Sequence, residues 1–174
     1  MDRLFIPEVI NNFNAYSSGN LLIGVTSEVN LVELQAVTEA ISGAGIAGTY
    51  NIPVLGHYGS MEQEVPFRVL YEDVFDMADP SKMVEITLRG SLQGTQKNDL
   101  SLDSIGCRFV FRGRVKNFKP GTMKAGGAMN ASVVLEVLYL LYELDGEKKV
   151  ELDKVNNVFK VNGKDLMEKI RRQC

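Results

Sequence analysis

The sequence is poor in the residues that build metal centres, disulfide frameworks and nucleic-acid surfaces. Its 174 residues include no tryptophan, one histidine and two cysteines. Its net charge of -3 lacks the basic excess that tight binding to nucleic-acid phosphates requires. A chain of this length, with 45% hydrophobic residues, can bury a core without metals or disulfides. These features predict one globular domain over residues 1–174.

The two cysteines do not indicate a disulfide framework. Cys107 lies in an apolar, alternating segment, and Cys174 ends the sequence. We interpret them as a buried thiol and a terminal thiol, a usage that fits a reducing cytoplasm.

Long apolar runs are also missing. The most apolar stretch, Ala131–Tyr142, is too short to span a bilayer and is interrupted by Glu136. Residues 1–7 have no cationic region followed by a long apolar run, so they do not resemble a signal peptide. We therefore expect a soluble protein that is made in the cytoplasm.

What the sequence does have is alternation with a period of two. Within residues 105–118, apolar side chains alternate with basic ones, which predicts a half-buried strand with a basic outer face. The same kind of alternation predicts a strand over 84–93. In the first of these strands the inward residues are Ile105, Cys107, Phe109, Phe111 and Val115, and the outward residues are Arg108, Arg112, Arg114 and Lys116.

The C-terminal part predicts further strands joined by tight turns. Residues 129–144 are apolar on both faces, and their β-branched and aromatic content favours a strand over a buried helix. Asp145-Gly146 is a strong signal for a two-residue hairpin, after which 149–155 would return as the partner strand. Asn162-Gly163 begins a C-terminal turn and short segment, 162–174, whose end is compatible with a short helix.

The N-terminal half contains one clear helical pattern. An apolar stripe at helical spacing runs through 71–78, and Pro80 ends it. A strand pair, Val9–Ala15 and Leu21–Val29, is predicted within 1–30, whereas 31–41 is compatible with a helix or with extended chain. The whole pattern predicts a mainly β protein, an antiparallel sandwich or barrel with one short central helix and long loops.

One segment matches a nucleotide-binding motif by letter only. Residues 43–48 read G-x-G-x-x-G, and the acidic Glu62 and Glu64 follow them. A dinucleotide fold needs a helix to begin at this turn, whereas residues 49–56 are extended and contain proline. We interpret the motif as a glycine loop within a long Gly-rich segment, 38–60, and expect no cofactor.

The remaining candidates for chemistry are weak. The single histidine, His57, stands in a predicted loop without a positioned partner, and no spacing of His, Cys and Asp suits zinc. We expect no catalytic or metal site. The basic stripe of the 105–118 strand is interpreted as a surface paired with carboxylates from elsewhere in the protein. The acidic face of the predicted helix consists of Glu72, Asp73, Asp76 and Asp79, and it is either solvated or docks a basic partner.

Two stretches of the sequence resemble a known family. The first is F-R-G-R-V-K at 111–116, with the Gly/Lys loop and the long apolar strand that follow it. The second is the ending, where V-E-L-D at 150–153 and K-V-N-G-K-D at 160–165 follow Asp145-Gly146. In this order and spacing they resemble the major tail tube proteins of contractile-tailed phages and phage-tail-like particles. The glycine loop also resembles a loop of that family, whereas the segment 117–129 lacks the acidic character of some relatives.

The resemblance implies a structural role and no enzyme activity. Members of the family form hexameric rings that stack into a hollow tube, which a contractile sheath drives through the target cell envelope. The implied partners are other copies of the chain, the tail sheath, a tape-measure protein in the lumen, and baseplate and tail-terminator proteins. Phage DNA would be a transient passenger. The implied location is the inner tube of a virion tail, assembled in the bacterial host cytoplasm.

The resemblance also implies which residues make contacts. The segment 38–60 would contact a neighbouring subunit or ring, and the acidic helix face would contact the sheath. The inter-subunit residues are Gly43, Gly45, Gly48, Tyr50, Ile52 and Val54, and the sheath-facing residues are Glu72, Asp73, Asp76 and Asp79. The residues alone leave a second function open, a monomeric β-sandwich binding module that uses the loop 43–59. They also leave open whether the particle is a phage or a headless tailocin.

Overall fold

The computed structural model describes residues 4–174, which form a mainly β, antiparallel protein. The strands are β1 (Phe5–Ser17), β2 (Asn20–Leu22), β3 (Ala36–Ile41), β4 (Tyr50–Tyr58), β5 (Glu62–Phe67), β6 (Val84–Gln96), β7 (Leu102–Lys119), β8 (Ala131–Leu144), β9 (Glu147–Asp153), β10 (Val158–Val161) and β11 (Lys164–Asp165), and the helices are α1 (Glu72–Met77) and α2 (Glu168–Gln173). The predicted fold class is confirmed. The short central helix is α1, and α2 is the C-terminal helix that the sequence permitted.

Nine of the strands form one sheet in the order β11-β10-β9-β8-β7-β6-β1-β2, with β5 also paired to β8. The chain that follows β2 then bonds to the outer edge of β5. The N–H of Thr26 donates to the carbonyl of Pro66 at 3.1 Å, and the N–H of Arg68 donates to the carbonyl of Gly24 at 2.8 Å. These bonds close the circuit β8-β7-β6-β1-β2-β5, and closure removes sheet edges that would otherwise be exposed. We call this closed part the barrel.

The interior of the barrel is the hydrophobic core. Phe67, Ile86, Phe111 and Leu135, from four different strands, are all at most 1% exposed. Helix α1 adds Val74 to the same core. The alternation predicted for residues 84–93 and 105–118 is therefore confirmed in the barrel, since the inward side chains of β6 and β7 are those that the core buries.

The predicted tight turns are confirmed by their backbone angles. Asp145 and Gly146 have φ values of 54° and 73°, and Asn162 and Gly163 have 48° and 79°. Two consecutive positive φ values are what a two-residue hairpin turn of the favoured twist requires, and Asn, Asp and Gly tolerate them best. The first turn joins β8 to β9, and the second joins β10 to β11.

The segment 38–60, predicted as a long Gly-rich loop, is instead mostly a hairpin. β3 and β4 pair with each other from Ile41↔Tyr50 to Ala36↔Tyr58 and form a separate two-stranded sheet. Only residues 42–49 lie between the two strands. The prediction was wrong because it gave the glycines more weight than the β-branched and aromatic residues on either side, which favour extended pairing. We call residues 36–58 the arm.

Two other boundaries differ from the sequence predictions. Within residues 1–30, β1 is longer than expected, and the predicted second strand ends at Leu22 and continues as irregular chain apart from a bridge between Val25 and Phe67. Residues 31–41, left open between helix and extended chain, are extended and enter β3 at Ala36.

Three strands continue beyond the barrel. Residues 5–12 of β1 pair with 91–96 of β6, and residues 102–106 of β7 pair with 91–95 of β6 on its other side. The pairing of β8 with β7 begins only at Cys107, so β8 does not cover this part. We call it the extension. It exposes Ile6 by 47%, Val9 by 55% and Leu102 by 70%.

Candidate functional site

The residues described, 4–174, contain no group of three or more His, Cys, Asp and Glu side chains that could hold a metal ion, and no helix long and apolar enough to cross a membrane. The G-x-G-x-x-G motif occupies the tip of the arm, where no helix begins. His57 is exposed on β4, in the arm and not in a loop. The groups that sequence reasoning weighed for nucleotide or acid–base chemistry are therefore not brought together, and the surfaces of the protein become the candidate functional sites.

The arm carries the six residues predicted to contact another subunit. Gly45 and Gly48 at its tip have φ values of 86° and 99°, a conformation that favours glycine. Tyr50, Ile52 and Val54 alternate along β4 and so share one face, where they are 51%, 44% and 38% exposed. No third strand covers the arm among residues 4–174. Because an isolated two-stranded hairpin is only marginally stable in water, this apolar face is a candidate contact surface.

The root of the arm is fixed against the C-terminal part of the chain. The ring of Tyr58 contacts that of Phe159 edge to face, with centroids 5.3 Å apart. At Gly56 the backbone lies so close to Met167 that a Cβ would stand 2.3 Å from the Met167 sulfur. Lys154 Nζ donates to the carbonyl of Gly59 at 2.5 Å. The arm therefore projects from the side of the molecule formed by β10 and the start of α2.

A carboxylate in β8 holds the chain just after the arm. Glu136 accepts hydrogen bonds from Ser60 Oγ at 2.6 Å and from the N–H of Met61 at 3.2 Å, and it pairs with Lys116 at 3.2 Å. Burial by itself would raise the pKa of Glu136, but these hydrogen bonds and the lysine outweigh it and lower the pKa. Lys116 also pairs with Glu62 at 2.6 Å, and its two carboxylates raise its own pKa.

The acidic face predicted on the central helix is present in part. Glu72, Asp73 and Asp76 are exposed on α1. Asp79 lies beyond the end of α1 and is engaged locally, because it accepts from Ser81 Oγ at 2.6 Å and pairs with Lys82 at 3.3 Å. These hydrogen bonds from Ser81 and Lys82 lower the pKa of Asp79. Three of the four residues therefore form one open acidic surface.

The apolar stripe predicted for this helix is also only partly buried. Val74 is 0% exposed, whereas Phe75 is 56% exposed and contacts Phe118 at a ring-centroid distance of 5.9 Å. A six-residue helix offers the core little more than one turn, so Phe75 stays beside the acidic surface.

Three of the four basic residues predicted on the outer face of β7 pair with carboxylates on neighbouring strands, as expected, whereas Arg114 is exposed and makes no ion pair among residues 4–174. We call this row of ion pairs the ladder. Its pairs are Arg108 with Glu143, Arg112 with Glu85 at 2.6 Å, Lys116 with Glu62 and Glu136, and Lys119 with Glu64 at 3.0 Å. In addition, the guanidinium of Arg112 lies over the ring of Tyr139, 5.0 Å from its centroid. The basic side chains of the ladder are already paired with carboxylates of the same chain. This face therefore has little net positive charge with which to bind nucleic-acid phosphates.

Sequence reasoning missed a groove beside β1. The groove has a volume of about 790 Å³ and lies between β1 and the chain that follows β2. Its lining includes Phe13, Ile23 and Phe109, and Ile23 is 73% exposed. The available signal was the excess of apolar residues over 21–29, which was interpreted as the second strand of the N-terminal pair.

Sequence reasoning also missed two unpaired strand edges. Within residues 4–174, no strand pairs with the outer edge of β1 over residues 5–14 or with that of β7 over residues 102–105. Both edges belong to the extension. An exposed strand edge offers a row of backbone N–H and C=O groups to another chain.

The comparisons with known proteins agree with one another. A model of the family described as phage tail tube protein FII matches residues 7–174. The tail tube protein of Escherichia phage P2 is 27% identical over 172 residues, covering 96% of both chains. The sheath/tube terminator of an extracellular contractile injection system (PVC), in the extended state, shares the fold with a TM-score of 0.55 at 11% identity, over 79% of this chain and 97% of that one.

Proposed function

Because the chain belongs to the phage tail tube protein FII family, we propose that it forms hexameric rings that stack into the hollow inner tube of a contractile tail. The observation that carries the proposal is the arm, a two-stranded sheet whose apolar face is uncovered in the single chain. In a monomeric protein this apolar face would stay exposed to water, whereas a subunit would bury it on assembly. The tube would then be driven through the target cell envelope as the sheath contracts.

The extension supports the ring. Its two unpaired edges, 5–14 of β1 and 102–105 of β7, lie on opposite sides of the same three strands. Pairing residues 5–9 of the β1 edge of one copy with the β7 edge of the next would continue the sheet from subunit to subunit, and it would leave residues 10–14, which line the groove beside β1, free. Such a head-to-tail contact closes into a ring when the rotation per subunit divides a full turn.

The proposed contacts use the two surfaces described above. Gly43, Gly45, Gly48, Tyr50, Ile52 and Val54 of the arm would contact a neighbouring subunit or ring. The acidic surface of Glu72, Asp73 and Asp76, with Asp79 beside it, would face the sheath. Opposite charge across such a contact favours the correct partner and speeds association. Reversing charge with Asp73→Lys and Asp76→Lys should weaken sheath attachment but leave tube formation intact; unchanged sheath binding would contradict the assignment.

A tail tube protein is a component of the tail of a phage or phage-like particle. We propose that it is assembled in the bacterial host cytoplasm, with sheath, baseplate, tail-terminator and tape-measure proteins as partners. Phage DNA would pass through the lumen without being bound. The ladder fits this role, because arginines already paired with carboxylates release few counterions on meeting phosphates. The role is structural, and we propose no catalytic activity.

Negative-stain electron microscopy of the purified protein over a range of concentrations tests the proposal. Rings or hollow tubes of uniform width are expected, if necessary after co-expression with the neighbouring tail genes as a template. A chain that stays monomeric at high concentration and also fails to enter a co-expressed particle would contradict the proposal. That result would favour the alternative, a monomeric binding module that uses the loop 43–59.

A further inference from the structure

We propose that the groove beside β1 receives the arm of a second copy of the chain. The inference rests on the proposed function, since it names one pair of surfaces through which the subunits would associate. The proposal identifies the residues that line the groove as the surface that binds the arm. The contact would be head to tail, because the arm of one copy would bind a different surface of the next.

The groove is shaped for an extended apolar segment. One wall is β1 with its unpaired edge, and the other is the chain from 21 to 31. That second wall presents Leu21 at 47%, Ile23 at 73% and Leu31 at 41% exposure. Proteins recognise extended segments at such places by adding a strand to a free edge, while pockets beside the edge take alternate side chains.

The groove and the arm both have few charged residues, unlike the other surfaces described above. Among the residues that line the groove, Glu28 is the only charged one. Among residues 36–58 of the arm, Glu39 is the only Asp, Glu, Lys or Arg. The outer face of β7 carries the ladder, and α1 carries the acidic surface. The central parts of protein interfaces are depleted of charge, so the arm and the groove fit each other better than either fits those two surfaces.

The positions of the two surfaces set the type of contact. The arm is rooted where Gly56 meets Met167 and Tyr58 meets Phe159, on the side of β10 and α2. The groove lies between β1 and residues 21–31, a different surface from the apolar face of the arm. When each copy inserts its arm into the next copy without receiving that copy's arm in return, the contact is heterologous, and such contacts generate rings or open stacks.

Two matched substitutions test the contact. Ile23→Asp places a carboxylate in the groove, and Ile52→Asp places one on the apolar face of the arm. Both side chains are exposed in the single chain, so both variants should fold. An unpaired carboxylate in an apolar contact is costly, and we expect each variant to need at least about a tenfold higher concentration for half-maximal assembly by sedimentation. Val155→Asp, at a position 72% exposed outside both surfaces, should assemble like the wild type.

Mixing the two variants gives a sharper result. The arm of the Ile23→Asp chain is unchanged, and so is the groove of the Ile52→Asp chain. One intact contact can therefore form between the two chains. A one-to-one mixture should therefore yield a dimer that neither variant forms alone. Normal assembly of the Ile23→Asp chain, or equal failure of the Val155→Asp chain, would overturn the proposal.

A chemical cross-link provides a second measurement that does not depend on loss of assembly. Chains with Ile23→Cys and Ile52→Cys are mixed with otherwise unsubstituted subunits and treated with a flexible bismaleimide, and all the chains carry Cys174→Ser because Cys174 is exposed and would react. A cross-link between the two variants is expected, and none between the Ile23→Cys chain and a Val155→Cys chain. If the wild type forms tubes but no cross-link appears, the groove assignment fails and the proposed function stands. If the wild type forms no tubes in any particle, the proposed function itself fails.

Discussion

The barrel and the arm are both antiparallel and are built from similar residue types, yet they differ in how far their apolar side chains are buried. In the barrel, β-branched and aromatic side chains meet each other inside a closed sheet, and Phe67 and Phe111 are 0% exposed. In the arm, Tyr50 and Ile52 remain about half exposed on a sheet of two strands. Apolar side chains of the same kinds are therefore buried within the chain in the barrel and exposed to solvent in the arm.

This difference assigns the two regions separate tasks. The barrel can supply the free energy of folding, because it removes most of its apolar surface from water without a partner. The arm contributes little to that free energy beyond its root, and its exposed face is available for contacts between subunits. Substitutions that act on only one of the two regions should therefore separate folding from assembly.

The largest expected effect comes from the core of the barrel. Phe67→Ala removes a fully buried ring and should lower the free energy of unfolding by about 3–5 kcal/mol, which urea unfolding measures. Ile52→Ala in the arm should leave the unfolding free energy of the single chain nearly unchanged while weakening assembly. Equal destabilisation by the two substitutions would show that the arm belongs to the folding unit of the barrel.

A smaller effect is expected where the arm meets the C-terminal part. Gly56→Ala puts a Cβ against Met167 at a residue whose φ is 74°, so it should cost about 1–3 kcal/mol and increase amide exchange in β4. The matched control is Gly45→Ala at the arm tip, where φ is also positive but no atom lies within 4 Å of the added Cβ. A similar loss of protection in both variants would mean that backbone strain, and not contact with Met167, controls the arm.

Acid should loosen the root of the arm before it unfolds the barrel. The folded-state pKa of Glu136 is lowered, so its stabilising effect is present above the unfolded-state pKa and is lost as pH falls through the folded-state pKa. As the pH falls through the lowered folded-state pKa of Glu136, the hydrogen bonds from Ser60 and Met61 should weaken, and the amide of Met61 should exchange faster than those in β7. Glu136→Gln should remove most of this pH dependence. An unchanged pH profile in that variant would assign the effect to other carboxylates.

The smallest effect concerns charge. Neutralising two carboxylates of the ladder with Glu85→Gln and Glu143→Gln would free Arg112 and Arg108, and DNA affinity at low salt should rise about tenfold and depend more steeply on salt. The matched control is Glu33→Gln with Glu39→Gln, which removes two exposed carboxylates that pair with no cation among residues 4–174, and it should have a smaller effect. Equal gains in both variants would show that only net charge matters.

Local patterns predicted much of the fold. The strands over 84–93, 105–118 and 129–144, the turns at Asp145-Gly146 and Asn162-Gly163, and the central helix were all predicted from residues close together in sequence. The resemblance to tail tube proteins was predicted from the same stretches. These features follow from alternation, turn geometry and helical spacing, each of which acts over a few residues.

The candidate site was predicted less completely. The six predicted contact residues of the arm are exposed, but they lie on a hairpin and not in the expected loop, and their contact with another subunit stays a prediction. The ladder was expected to have carboxylate partners, yet nothing near Arg108 or Arg112 in sequence identifies Glu143 or Glu85 as those partners. The groove and the free edges of the extension were missed, because a strand edge is free only when the whole strand order is known.

The sequence by itself therefore determined the strand faces, the tight turns and the family of this protein. Only the tertiary structure decided that Gly24 and Thr26 close the barrel against β5, that the glycine segment is the tip of an uncovered arm, and that β1 borders an open groove. Alternation and turn chemistry act between neighbours along the chain. Closure, uncovered faces and unpaired edges depend on which distant strands meet, and that choice is made by packing the whole core at once.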